Sequence, residues 1–219
     1  MSTKAVIFDM DGVIVDNHLF HYRAWVDFCS KYDITINEEI YYTRMSGKTN
    51  DVLVKMFFGG NIQPEKVRDL GEEKEAVYRE LIQKDIQPVT GLIPFLQDLK
   101  NSGIPLAVAT NAPLSNINFT LQATGTQQFF SKIIDASMVS KGKPSPEIYL
   151  KAASELNTIP ENCLVFEDSF TGIEAARAAG MKVAGVATTH KMDEISRLTD
   201  ITIIDFTVIN AEIVLKLII

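Results

Sequence analysis

Two acidic residues stand two apart at the end of a short apolar run, in Phe8-Asp9-Met10-Asp11-Gly12-Val13. In extended backbone residues i and i+2 point to the same side. The carboxylates of Asp9 and Asp11 therefore repel one another unless a cation sits between or beside them. Gly12 permits a sharp exit from a strand. A second acidic pair closes another apolar run, in Leu164-Val165-Phe166-Glu167-Asp168-Ser169. Mg2+ suits such acids, because it is hard, octahedral and satisfied by one or two carboxylates with water and phosphate oxygens. The chemistry open to this set is the handling of phosphate.

Two further positions have the right groups. Thr110 and Asn111 end the run Leu106-Ala107-Val108-Ala109 with a hydroxyl and an amide, both able to hold phosphate oxygens. Lys143, in Lys141-Gly142-Lys143-Pro144-Ser145-Pro146, precedes an expected helix start and offers a fixed positive charge beside a developing anion. Taken singly, each position also has an ordinary account. The acids can be solvated at a strand end, Thr110 can be a helix cap, and Lys143 can be a surface lysine.

The elements that must position these residues are short. Short apolar runs stand at 5–8, 106–109, 132–134, 164–166, 183–186 and 201–204, and several are apolar on both parities, as strands covered on both faces of a parallel sheet require. Helical patterns alternate with them. The stretch 91–100 has Leu92, Ile93, Phe95, Leu96 and Leu99, with Gly103 as its stop. The stretch 146–156 opens on Ser145-Pro146 as N-cap and first helical residue. The Ala-rich stretch 171–179 ends at Gly180. This alternation predicts a doubly wound α/β fold, a Rossmann-like core around a parallel sheet. Parallel strands carry both acid clusters to the carboxyl edge, where open α/β sheets bind ligands.

One stretch breaks the alternation. Residues 16–85 show no strand pattern, only amphipathic helical segments at 22–32, 51–58 and 64–83. The expected organisation is an α/β core of 1–15 and 86–219, with a helical cap of 16–85 inserted after the first strand.

Composition narrows the classes of function. The 219 residues carry a net charge of −7 and no basic run, which argues against nucleic acid held by bulk charge. Hydrophobic residues make up 46 %, enough for a core and too many for a disordered chain. The two cysteines, Cys29 and Cys163, form no zinc-binding spacing and suit a reducing compartment. Met1-Ser2-Thr3-Lys4 leads straight into the first strand without a signal-peptide pattern, and no apolar run reaches the ~20 residues that span a bilayer. A cytoplasmic protein is expected. Gly47-Lys48-Thr49 imitates the end of a P-loop, but Tyr42 stands where that motif needs its first Gly. Asp9-x-Asp11 imitates an EF-hand start, but Ile14 and Phe20 occupy the required Gly and Glu positions.

Together the D-x-D-G of Asp9–Gly12, Thr110, Lys143 in Gly-Lys-Pro and the Glu167-Asp168 pair resemble the haloacid dehalogenase (HAD) superfamily. The likeness covers nearly the whole chain, since the helical insert sits where that family carries its cap. It is nearest the β-phosphoglucomutase-like branch, through Asp9-Met-Asp-Gly-Val-Ile-Val-Asp16, His21-Tyr-Arg-Ala-Trp25 and Lys74. The resemblance implies Asp9 as the nucleophile that accepts a phosphoryl group, and Asp11 as acid and then base. It implies Mg2+ as cofactor, held by Asp9, the Asp11 carbonyl, Asp168 and Glu167. Lys143 would neutralise the transferring group, with Thr110 and Asn111 placing its oxygens. Gly47, Lys48, Asn50, His21 and Lys74 of the insert would contact a small phosphorylated metabolite.

The sequence also departs from the mutase pattern. Where the mutase branch has a cap arginine for a second phosphate, this chain has Asn50, with Lys48 as a point charge nearby. Asn111-Ala112-Pro113 stands where that branch has a serine and a lysine. These changes favour a phosphatase on a small phosphomonoester, with water as acceptor. The alternatives are a hexose-phosphate mutase, favoured by His21 and Lys74, and a phospho-aspartyl signalling module. Modules of that last kind lack a helical insert and carry their Asp on a middle strand of the chain.

Overall fold

The computed structural model describes residues 3–45 and 48–218. Its chain divides into two compact units, 1–16 with 87–219, and 17–86.

The first unit is built on six parallel strands: β1 (Ala5–Phe8), β2 (Leu106–Ala109), β3 (Lys132–Ile134), β4 (Cys163–Glu167), β5 (Lys182–Val186) and β6 (Ile201–Ile203). Their order across the sheet is β3-β2-β1-β4-β5-β6. Helices α5 (Leu92–Asn101), α6 (Leu114–Ala123), α7 (Glu147–Glu155), α8 (Phe170–Ala178), α9 (Met192–Ile195) and α10 (Ala211–Leu217) connect and cover the strands. Every residue of β1 is fully buried. Val6 and Phe8 pack with Phe95, Leu96, Ile117, Leu121 and Val214 on one face. Ala5 and Ile7 pack with Ile148, Ala152, Ile173 and Ala176 on the other. Two buried faces explain why the strands are apolar on both parities.

The strand order reverses between β1 and β4, which are neighbours with Phe8 opposite Phe166. A reversal of this kind leaves a crevice at the carboxyl ends of the two strands. The Asp9 amide continues the ladder by donating to the Phe166 carbonyl at 3.0 Å. The residues just beyond β1 and β4 are thereby fixed side by side.

Strand four is longer than the sequence pattern indicates. It begins at Cys163 and includes Glu167, a charged residue that is fully buried and so carries no apolar signature. Two helix starts also differ. Pro146, not Ser145, occupies the N-cap position of α7, and Gly91 is the left-handed N-cap of α5. At the other end of α5 the Gly103 stop forms as read: Gly103 has φ +70°, and the Ile104 amide reaches back to the Leu99 carbonyl at 3.1 Å. Asp9 is the first residue beyond β1, Asp11 forms an isolated bridge with Val15, and the turn falls at 12–14, with the Ile14 amide donating to the Met10 carbonyl at 2.8 Å.

The second unit is helical: α1 (His18–Ser30), α2 (Glu38–Ile40), a π-helical turn at Tyr41–Met45, α3 (Asn50–Phe58) and α4 (Pro64–Ile82). No strand occurs there among the described residues. Pro64 opens α4 at its first helical position, where a missing amide proton costs nothing. The buried stripe of α4 runs Val67, Leu70, Gly71, Lys74, Tyr78 and Ile82, at helical spacing. Val67 and Leu70 share a core with Trp25, Phe28, Cys29, Leu53 and Val54. Among the described residues no helix is long and apolar enough to cross a membrane.

Candidate active site

Asp9 follows β1, Glu167 ends β4, and Asp168 follows it. One carboxylate oxygen from each lies within 4.8 Å of the others, and all three residues are buried. Asp11 sits beyond this group, yet its charge still pushes on Asp9.

Lys143 reaches the cluster from the loop before α7. Its Nζ donates to Asp9 Oδ1 at 2.7 Å and to Glu167 Oε1 at 2.6 Å. Asn111 holds that loop. Its Oδ1 accepts from the Lys143 amide at 3.1 Å, and a Cβ on Gly142 would come within 2.7 Å of the same oxygen. The Asn111 side chain therefore serves Lys143 directly. Thr110 is buried, and its Oγ1 accepts from the Ala112 amide at 3.1 Å; it is not the cap of α6, whose N-cap position is Pro113.

Glu167 is the most heavily bonded acid. Oε1 accepts from Lys143 and from the Tyr149 hydroxyl, the latter at 2.7 Å. Oε2 accepts from the Asp168 amide at 3.0 Å, the Ser169 amide at 3.1 Å and Ser169 Oγ at 2.9 Å. Ser169 also caps α8 by accepting from the Gly172 amide. Asp168 Oδ2 accepts from the Thr189 hydroxyl. Gly12 has φ +78°, and a Cβ there would collide with Asp168 Oδ2. Only glycine allows both the turn and the close approach.

The charges do not balance, with three buried carboxylates against one ammonium. Burial, and then the Glu167 and Asp11 charges, push Asp9 up to about 7 against the pull of Lys143. Burial and its acidic neighbours hold Asp168 well above the usual carboxylate range. Burial also opposes the ionised form of Glu167, but Lys143 and the other donors outweigh it and lower its pKa. Burial would lower Lys143, yet Asp9 and Glu167 raise it to about 12. Asp9, despite its bond from Lys143, and Asp168 are thus the acids whose charge is least compensated. A divalent cation between them would supply the compensation, and the donor set fits Mg2+.

The insert residues make a network of their own. Lys74 is buried, donating to Glu75 Oε1 at 2.9 Å and to His21 Nδ1 at 2.8 Å. The His21 ring stacks on Tyr78 with centroids 3.9 Å apart. Asn50 Nδ2 donates to Glu75 Oε1 at 2.6 Å. Lys48 is exposed, and Gly47 lies outside the described residues.

Four residues of the site escape a reading of the sequence: Tyr149, Ser169, Gly172 and Thr189. Gly172 does leave a signal, because a glycine inside an Ala-rich helix costs about 1 kcal/mol and calls for a reason. The reason is space for the Glu167 carboxylate, since a Cβ on Gly172 would lie 1.7 Å from Oε1.

Known proteins resemble the chain in both sequence and fold. A family profile for haloacid dehalogenase-like hydrolases matches residues 3–180. A phosphorylated carbohydrates phosphatase of Thermotoga maritima is 31 % identical over 196 residues, covering 87 % of this chain and 88 % of that one. A β-phosphoglucomutase of Bacillus subtilis is 33 % identical over 192 residues, covering 84 % and 83 %. The crystal structure of a family IA, variant 3 HAD hydrolase from Entamoeba histolytica superposes with a TM-score of 0.91 at 30 % identity over 99 % of both chains. The chain belongs to the haloacid dehalogenase-like hydrolases, in the branch that includes β-phosphoglucomutase.

Proposed function

We propose that the protein is a Mg2+-dependent phosphohydrolase of small phosphomonoesters, with sugar phosphates as the leading class. The observation that carries this reading is the buried set of Asp9, Glu167 and Asp168 at the switch point of the sheet, with Lys143 bridging Asp9 and Glu167. Asp9, the Asp11 carbonyl and Asp168 would hold Mg2+, which supplies positive charge beside the phosphoryl oxygens. Glu167 has five donors already, which favours holding Lys143 in place as its main role.

A carboxylate oxygen of Asp9 attacks phosphorus while the ester C–O–P bond breaks at its P–O link. Asp11 gives its proton to the departing alkoxide, which leaves as an alcohol. Lys143, already 2.7 Å from Asp9, lies beside the group that gains charge. Asp11, now a carboxylate, takes a proton from water. The resulting hydroxide attacks phosphorus, releasing inorganic phosphate and restoring Asp9. Thr110 and the backbone at Asn111 orient the phosphoryl oxygens. The helical unit is assigned the part of a cap that chooses the substrate, with Lys48 as one exposed cation.

Kinship to a β-phosphoglucomutase makes mutase activity the second reading. Against it, Asn50 is tied to Glu75, and an amide makes no ion pair with a second phosphate. Phosphate release from a panel of phosphorylated metabolites with Mg2+ tests the proposal; none from any ester would refute it. Conversion of β-glucose 1-phosphate to glucose 6-phosphate, primed by the bisphosphate, would favour the mutase instead. Multiple turnovers per protein rule out a signalling module.

A further inference from the structure

Tyr149 lies six residues after Lys143, on the apolar face of α7, and is fully buried. A tyrosine in such a place needs an acceptor for its hydroxyl. It finds Glu167 Oε1 at 2.7 Å, the same oxygen that Lys143 Nζ reaches at 2.6 Å. The Lys143 ammonium also sits over the Tyr149 ring, 4.8 Å from its centre. One side chain thus touches both members of the Lys143–Glu167 pair, by its hydroxyl and by its ring face.

We infer that Tyr149 is a positioning residue for catalysis, setting how Lys143 is shared between Glu167 and Asp9. This rests on the phosphohydrolase reading above. Glu167 Oε1 divides its acceptor capacity between the phenol and the ammonium. Without the phenol, the whole oxygen is open to Lys143, whose charge moves toward Glu167 and away from Asp9. The phosphoryl group gains its extra charge next to Asp9, so the loss falls on the reaction step more than on ester binding.

Tyr149→Phe keeps the ring and removes the hydroxyl. With a phosphomonoester that the wild type hydrolyses, kcat should fall about tenfold with KM within about twofold. The affinity of the Mg2+-loaded protein for vanadate, read by calorimetry, should fall as well, because vanadate places the same charge beside Lys143. A merely structural tyrosine would lower the unfolding temperature and leave both unchanged. Kcat and vanadate affinity within about twofold of wild type would overturn the inference.

Glu167→Gln supplies the second arm. If Tyr149 acts through Glu167, the double variant should lose much less than the product of the two single losses. Losses that multiply would overturn the inference even if Tyr149→Phe is slow. A wild type that releases no phosphate from any ester points instead at the phosphohydrolase reading, and vanadate binding then still reports on Tyr149.

Discussion

Gly172 and Glu167 are matched across the first turn of α8: the carboxylate occupies the space a Cβ on residue 172 would need. That carboxylate is fully buried and has donors on both oxygens, so it cannot swing aside cheaply. Gly172→Ala should therefore destabilise the protein by about 1–3 kcal/mol in urea melts. It should also slow turnover, because Lys143 moves with Glu167. An alanine variant with wild-type stability and kcat would contradict the fit described here.

Asp9→Asn separates chemistry from folding. The amide is close in shape but cannot attack phosphorus, so kcat should fall on the order of 10⁴-fold or more. Stability in chelator at pH 8 should hold or rise, because Lys143 keeps Glu167 while one poorly compensated charge is gone. A large loss of stability in that variant would mean that the Asp9–Lys143 pair chiefly maintains the fold.

The same acid sets a pH dependence for the metal-free protein. The Asp9 pKa is raised in the folded state, from 3.8 to about 7. Its contribution is thus most favourable below pH ~4 and declines as pH rises toward and through 7. Urea melts in chelator should show this decline, and Mg2+ should reverse it by binding the ionised form. Identical curves with and without Mg2+ at pH 8 would contradict a cation site at these acids.

In the helical unit the sign is opposite. Burial opposes ionisation of Glu75, but Lys74, His21 and the Asn50 amide outweigh it and lower its pKa from 4.5 to about 2. The stability it contributes is present above pH 4.5 and is lost as pH falls toward 2. Glu75→Gln should weaken the protein at pH 7, leave Lys74 short of a counter-charge, and flatten the acid limb of the stability curve. An acid limb unchanged in that variant would place the loss elsewhere.

Much of this arrangement can be read in the chain before any coordinates. The runs at 5–8 and 106–109 match β1 and β2, because strands buried on both faces are apolar at every position. Asp9, Glu167 and Asp168 stand out as acids at the ends of such runs, and Lys143 as a lysine just ahead of a helix start. What stays hidden depends on contacts between distant parts of the sequence. Tyr149 looks like one more apolar position of α7 until Glu167 is seen 2.7 Å from its hydroxyl. The bond from the Lys143 amide to the Asn111 side-chain oxygen, 32 positions apart, leaves no mark in the sequence either. Lys74 is read from the resemblance as a substrate contact, and its burial against Glu75 and His21 is visible only in the fold.

Mass spectrometry of acid-quenched reactions tests the central claim most directly. Protein mixed with Mg2+ and a hydrolysed phosphomonoester should carry one phosphate on the peptide that contains Asp9, and Asp9→Asn should carry none. Steady phosphate release with that peptide unlabelled at every quench time, together with undiminished release by Asp9→Asn, would contradict it.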